Sequence, residues 1–267
     1  MAVAAIAGRL RAAGSVFAED EARLLMAAAA TPADLAAMVD RRVAGFPLEH
    51  IVGWAEFCGL RVVVGPGVFV PRRRSEFLVH QAIATVTSAE TPVVLDLCCG
   101  AGAVGLAVAT ALAGAELHAA DIDPGATRYA RRNLAAIGGH VHEGDLYDPL
   151  PADLRGRIDV LVVNAPYVPT GELGLMPAEA RLHEPVVALD GGPDGVGIHR
   201  RVAAQAPEWL APGGSLLIET SDRQAPLTIA AMAAAGLSAG AASDDHLDAT
   251  VAIGRRPETE TAGRTPG

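Results

Sequence analysis

From residue 92 onward the chain repeats one rhythm: a short apolar run, a turn, a helical segment, then another apolar run. Val93-Val94-Leu95 reads as a buried strand, Glu116–Ala120 as a second and His140-Val141-His142 as a third. Ile158–Val163 is a fourth, apolar throughout except for Asp159, and Ser215–Glu219 and Ala249–Gly254 complete the set. Helices are predicted between them, from Ala103, over Pro124–Ile137 with proline at its start, over Gly197–Leu210 and over Ala225–Ala235. Strands that alternate with helices form a parallel, doubly wound sheet.

The first part of the chain has a different texture. Residues 1–50 read as helices: Asp20–Ala30 is a helix-favouring run, and Pro32–Val43 sets Leu35, Met38, Val39 and Val43 at helical spacing. In residues 57–70 two β-rich runs flank Gly65-Pro66-Gly67, which reads as a hairpin turn. A helix is expected over Ser75–Val86, with Glu76 in its first turn. The expected organisation is a helical domain over residues 1–55, a hairpin linker over 56–73, an α/β domain over 74–255 and a polar, disordered tail over 256–267.

Composition narrows the function classes. With 267 residues, 51% of them apolar, the chain buries a real core. The net charge of −10 lies entirely in residues 91–267, because residues 1–90 carry 9 Arg against 9 acids. An acidic body repels phosphate backbones, so nucleic acid is not the expected partner. Cys58, Cys98 and Cys99 form neither a disulfide framework nor a zinc pattern, and no metal is expected. Arg9 and Arg11 interrupt the stretch where a signal peptide needs its apolar core, so a cytoplasmic location is expected. Leu97–Ala115 runs 19 residues without a charge, but 11 of them are Gly or Ala, which suits a strand end, a tight loop and a buried helix better than a membrane span.

The first strand of the α/β region ends at Asp96, and Gly100-Ala101-Gly102-Ala103-Val104-Gly105 follows, with Asp121 at the end of the second strand. That is the dinucleotide pattern G-x-G-x-x-G. Asp96 argues for a different ligand. A diphosphate docks on backbone N–H groups and avoids a carboxylate; S-adenosylmethionine carries an ammonium, a sulfonium and no phosphate. The glycines would let the backbone approach its methionine end, and Asp121 would accept from both ribose hydroxyls. A tight turn with no ligand is the plain alternative, and Cys98 and Cys99 read as small side chains in a crowded loop.

The fourth strand runs into Asn164-Ala165-Pro166-Tyr167, at the carboxyl end where open α/β sheets place ligands. This resembles the N-P-P-Y motif of methyltransferases acting on planar nitrogens: adenine and cytosine amines and the glutamine amide. An amide NH₂ is a poor nucleophile. The Asn164 side-chain oxygen can accept one of its N–H groups and the Ala165 carbonyl the other, while Tyr167 offers a flat face. Further runs narrow the family. Pro47–Gly53, Glu56–Leu60, Pro66–Arg72, Glu184-Pro185 and Ala188–Gly195 resemble the HemK-like protein-(glutamine-N5) methyltransferases over about residues 15–255.

The resemblance implies a class I S-adenosylmethionine-dependent methyltransferase domain, a helical substrate domain and a hairpin linker. It also implies a peptide-chain release factor as substrate, methylated on the glutamine of its Gly-Gly-Gln loop. It places cofactor contacts on Asp96, Cys98, Cys99, Gly100, Ala101, Gly102, Asp121, Ile122, Asp145, Leu146 and Asn164. In it, Asp145 takes the adenine amino group, Leu146 packs the ring and Asn164–Tyr167 clamp the glutamine. A monomer is expected. Three positions depart from the pattern. Ala165 replaces a proline, Pro71-Arg72-Arg73-Arg74-Ser75-Glu76 stands for P-R-P-E-T-E, and Cys98-Cys99 stands where Gly-Thr is common. These departures keep two rivals open, a nucleic-acid amino-methyltransferase and a non-catalytic paralogue. The Arg72–Arg74 run reads either as a contact for an acidic partner or RNA, or as a solvated helix start.

Overall fold

The computed structural model describes residues 3–86 and 90–258. Four helices open the chain: α1 (Val3–Ala12), α2 (Ala18–Ala28), α3 (Pro32–Val43) and α4 (Leu48–Val52). α3 begins where Thr31 Oγ1 accepts from the Asp34 N–H, with Pro32 in the first helical position. The helices meet on an apolar core of their own around Ile6, Leu10, Leu25, Val39 and Ile51.

The hairpin is β1 (Trp54–Phe57) against β2 (Leu60–Val63), with Phe57 opposite Leu60. Its turn is therefore Cys58-Gly59 and not Gly65-Pro66-Gly67. Both turn residues have positive φ, 49° and 73°, which matches the right-handed twist of the flanking strands. Cysteine is an unusual residue for that position, and G-P-G carries the more conspicuous turn signal. Gly65–Gly67 instead makes a loop in which the Val68 N–H donates to Gly65 O. His50 Nε2 lies 2.9 Å from Val68 O and ties this loop to α4.

A 3₁₀ turn at Arg73–Ser75 leads into α5 (Glu76–Thr85). Then follow β3 (Val93–Leu97), α6 (Ala103–Ala111), β4 (Glu116–Asp121), α7 (Pro124–Leu134), β5 (His140–Glu143) and β6 (Ile158–Val163). The chain ends with α8 (Ala178–His183), α9 (Gly197–Trp209), β7 (Leu210–Thr220), α10 (Ala225–Ala234), β8 (Ser238–Asp244) and β9 (Ala249–Arg255). The sheet runs β5-β4-β3-β6-β7-β9-β8, parallel through β7 and antiparallel at β9 and β8. Strand order reverses between β3 and β6, which opens a crevice at their carboxyl ends.

Side chains alternate across the sheet. Val94, Val160, Val162, Leu217 and Val251 pack with α5 and α6 on one face. Leu95, Leu97, Leu161, Val163, Leu216 and Ile218 pack with α9 on the other. Burial on both faces is why the β6 run carries almost no polar residue.

Three details differ from expectation. β8, sequence S-A-G-A-A-S-D, carries no apolar signal; it is a mostly exposed edge strand, held by seven register partners on β9. The predicted helix over 124–137 is α-helical only to Leu134 and closes in a 3₁₀ turn. Arg256, assigned to the tail, donates its N–H to Gly214 O at 2.8 Å; the tail from residue 259 lies outside the described residues. Among the described residues no helix is long and apolar enough to cross a membrane.

Candidate active site

The loop after β3 packs three left-handed residues into five positions: Cys98 at φ 56°, Gly100 at 55° and Gly102 at 77°. Glycine accepts that backbone freely; cysteine does so at a cost of about 1–2 kcal/mol. The departure at position 98 is thus a strained one. Cys98→Val should destabilise the fold by about 2 kcal/mol, because a β-branched side chain suits the left-handed region worst. Cys98→Gly should cost less than about 1 kcal/mol, since relief of strain offsets the freer unfolded chain. Denaturant midpoints of the two variants check this ordering. Burial holds the Cys98 and Cys99 thiols well above the ordinary range, so neither is a thiolate nucleophile.

Two carboxylates shape the loop. Asp121 Oδ2 accepts from Gly100 N at 2.8 Å and its Oδ1 from Asp123 N at 2.9 Å. Burial nevertheless pushes the Asp121 carboxyl above its usual range. Asp96, 1% exposed, accepts from Gly105 N at 2.8 Å. Burial raises its pKa to about 7, against that hydrogen bond. A Cβ on Gly105 would lie 2.9 Å from Asp96 Oδ2, so the third glycine of the pattern makes room for this carboxylate. Asn133 joins the loop to the hairpin, donating to Ala101 O and Val63 O and accepting from Val63 N.

A cavity of about 230 Å³ opens above the carboxyl ends of β3, β4 and β6. Every sequence-predicted site residue lines it except Gly102, where an added Cβ would stand 3.3 Å from Leu134 Cγ and 3.4 Å from Ala130 Cβ. Asp145 is only partly available: its Oδ2 takes a 2.6 Å ion pair from Arg201, a residue the sequence did not point to. Leu146 adopts φ 49° and lines the wall. Phe57 and Phe69 line it too, whereas Trp54 lies under the Arg61 guanidinium at 4.0 Å.

Asn164, Ala165, Pro166 and Tyr167 follow β6 into the cavity. Asn164 Nδ2 donates to Ser75 Oγ at 3.1 Å, which leaves its Oδ1 for a ligand. The Tyr167 hydroxyl donates to Glu219 Oε1 at 3.3 Å, and its ring faces the Arg74 guanidinium at 5.7 Å. Gln224 Nε2 donates to Tyr167 O at 2.8 Å. Gly191 and Gly195 make room for this loop. A Cβ on Gly191 would meet Pro166 O and Tyr167 Cα at 2.7 Å, and one on Gly195 would meet Tyr167 O at 2.3 Å. Val168 pairs with Asp190 in a parallel bridge, so the intervening segment begins and ends beside Tyr167.

The arginine run follows neither expectation whole. Arg72 turns in to Glu184 at 2.5 Å and Arg74 to Glu219 at 3.4 Å. His183 stacks on Phe46 at 4.3 Å between ring centroids, and Glu184 also accepts from Val70 N. Both are therefore packing residues. Arg42 bridges Glu21 and Glu179, each at 2.8 Å, and fastens α3 to α8. The rings of His140 and His142 on β5 both stack on His118 of β4, and His118 Nδ1 lies 3.0 Å from His142 Nε2.

Comparison with known proteins agrees with this geometry. Residues 59–192 match the methyltransferase small domain model. A release factor glutamine methyltransferase of Geobacter sulfurreducens is 40% identical over 73% of this chain and 68% of its own length. The chain belongs to the release factor glutamine methyltransferase family. A second relative, the 4-amino-L-phenylalanine/4-methylamino-L-phenylalanine methyltransferase of Streptomyces pristinaespiralis, is 37% identical over 70% of this chain and 65% of its own. The crystal structure of a methyltransferase from Pyrococcus furiosus shares the fold, with a TM-score of 0.56 at 17% identity over 74% of this chain and 90% of that one.

This methyltransferase depends on S-adenosylmethionine, and its cavity suits that ligand. Asp96, Asp121, Asp123 and Asp145 outnumber Arg74 and Arg201 in the wall, and each arginine is paired to a carboxylate. Such a wall repels a diphosphate and attracts an ammonium and a sulfonium.

Proposed function

We propose that this methyltransferase methylates the side-chain amide nitrogen of a glutamine in a peptide-chain release factor, the glutamine of the Gly-Gly-Gln loop. The observation that carries this reading is the Asn164 side chain, whose NH₂ is engaged by Ser75 while its oxygen remains for an N–H donor. Asn164 Oδ1 accepts one N–H of the acceptor amide and the Ala165 carbonyl the other. Two acceptors shift electron density onto the nitrogen and fix its approach. Tyr167 stacks on the planar amide, and the phenol stays neutral because burial raises its pKa. Pro166 and the packed glycines hold this backbone rigid. Bound S-adenosylmethionine supplies an electrophilic methyl group on its sulfonium.

In this reading Asp96 faces the ammonium, Asp121 the ribose and Leu146 and Ile122 the adenine. Cys98–Gly102 shape the floor, and Asp145 holds the adenine amino group with the oxygen that Arg201 leaves. Residues 1–55 would contact the release factor, residues 56–73 link the parts, residues 74–255 carry the chemistry, and a monomer acts in the cytoplasm. Cofactor affinity should then depend on pH. Above about 7 Asp96 is ionised and attracts the ammonium; below it the carboxyl is neutral. Affinity should fall by up to about tenfold per pH unit on that side. Asp96→Asn should bind weakly and lose most of this slope, as calorimetry at several pH values can measure.

Intact mass of a release factor, incubated with enzyme and S-adenosylmethionine, tests the substrate. A gain of one methyl group, absent when the loop glutamine is changed to alanine, supports the reading; no gain with cofactor binding intact overturns it. A second reading is favoured by the wall of Phe57, Phe69, Met176 and Val187 and by the aryl-amine relative: the same clamp would hold an aromatic amine. Methylation of 4-aminophenylalanine and not of the release factor would select it.

A further inference from the structure

We propose that Arg42 is a positioning residue for the methyl acceptor: from the helical domain it holds α8, and through α8 the part of the cavity wall that the acceptor meets. The proposal rests on the clamp reading only for where the acceptor lies. No described residue before Phe57 lines the cavity, so the helical domain acts on the acceptor site through a second element.

Met176, Pro185, Val187, Ala188 and Leu189 line the cavity. The Val168 N–H donates to Leu189 O at 3.0 Å, one residue past Tyr167, so this wall stands at the clamp. Asp96 and Asp121 stand on other strands, β3 and β4. The segment that carries the wall has little apolar hold of its own. Of its apolar side chains only Ala180 and Leu189 are buried, while Leu175, Leu182, Val186 and Val187 are exposed. α8 has six residues, too few to persist as an isolated helix. Its polar anchors therefore decide where it sits.

Arg42 sets two of those anchors, one at each end of α8. At the start, Arg42 Nη1 donates to Glu179 Oε2 at 2.8 Å. At the end, the His183 ring stacks on Phe46. The same Nη1 donates to Phe46 O at 3.0 Å, so Arg42 also fixes the backbone that presents this ring. The guanidinium is itself fixed. Its Nε and Nη2 donate to the two oxygens of Glu21 on α2, at 2.8 and 2.9 Å, the side-by-side geometry that a guanidinium supplies and an ammonium does not. Arg42 and Glu21 are 15% and 11% exposed, so salt screens this pair weakly. A third anchor, Glu184, pairs with Arg72 and Val70 N and does not reach α1–α4. The bracket is thus continuous: Glu21 fixes Arg42, Arg42 fixes α8, and α8 leads directly into Pro185–Leu189.

Glu179→Ala tests this, because it removes the cross-link and leaves the pair of Arg42 with Glu21. Alanine is the better helix former, so α8 loses nothing by propensity. A wall in place about one tenth of the time lowers the apparent acceptor affinity about tenfold. We expect the acceptor KM to rise roughly 5- to 20-fold, with kcat and cofactor affinity little changed. In the Arg42→Ala background the same substitution should add little, since both act through one path. Hydrogen exchange of the free enzyme gives a readout that needs no acceptor: amides of residues 178–189 should exchange faster in Glu179→Ala, and those of residues 93–102 should not. An ordinary surface ion pair predicts no change in either measurement. An unchanged KM would overturn the proposal whatever the exchange shows. So would a raised KM with unchanged exchange, which would mean that Glu179 meets the acceptor itself. If Arg42→Ala does not fold, because Glu21 is left buried and unpaired, Phe46→Leu takes its place; it removes the ring under His183 and should raise KM in the same way. If the wild-type enzyme methylates no release factor, the glutamine reading fails alone, and the KM comparison is made with 4-aminophenylalanine.

Discussion

Asn164→Ala should lower kcat by roughly 100- to 1,000-fold, the range found when one preorganised polar contact to a reacting group is removed. Cofactor affinity should change much less, because Asp96, Asp121 and the glycine loop stand on other strands. Alanine removes the acceptor for one substrate N–H and leaves the buried Ser75 hydroxyl without its donor. The second loss acts on stability and is worth about 1 kcal/mol, so the protein should still fold. Single-turnover rates measured with saturating cofactor separate the two effects. An unchanged rate would mean that the amide is held elsewhere and that the clamp reading is wrong.

Gly191→Ala should destabilise the enzyme by about 3 kcal/mol, the upper end for an overpacked site. The new Cβ would stand 2.5 Å from Gly195 O and 2.7 Å from Pro166 O and Tyr167 Cα. All three are backbone atoms, so no side chain can swing aside. Either residues 191–195 or the Asn164–Tyr167 loop must move. Chemical denaturation reads the first consequence. The second shows as a kcat loss larger than any loss of cofactor affinity. Gly192→Ala is the contrast within the same run: its Cβ would meet nothing within 4 Å, and only its φ of +89° opposes the change.

Much of the sheet was legible because its strands are buried on both faces, and burial leaves an apolar run in the sequence. β8 left no such trace, since Ser, Ala and Gly on an exposed edge say nothing about pairing; β9 supplies the template. The hairpin was legible as a hairpin but not in its turn, because Cys58 and Gly59 carry a weak signal beside a strong false one. The cavity-lining residues were legible where the backbone itself forms the site, as at Gly100 and Asn164–Tyr167. Ser75, Asn133, Arg201, Glu219 and Gln224 were not. Each acts across a long stretch of sequence, as Ser75 does on Asn164 across 89 residues, and no spacing rule reaches that far. The reversal of Arg72 and Arg74 toward buried carboxylates has the same origin. A charge run names no partner until the fold brings Glu184 and Glu219 to it.

The bridge between Val168 and Asp190 closes the intervening segment at its base. Because its two ends meet beside Tyr167, the exposed stretch around Leu175 can lengthen, shorten or change composition with little strain on the catalytic backbone, and the entropic cost of a longer loop grows slowly. The later part, from Glu179 to Glu184, is tied down by Arg42 and Arg72. The exposed stretch is thus a replaceable cassette on a fixed socket, and rewriting it while the cofactor floor and the Glu184 anchor stay as they are is the corresponding route to a different acceptor.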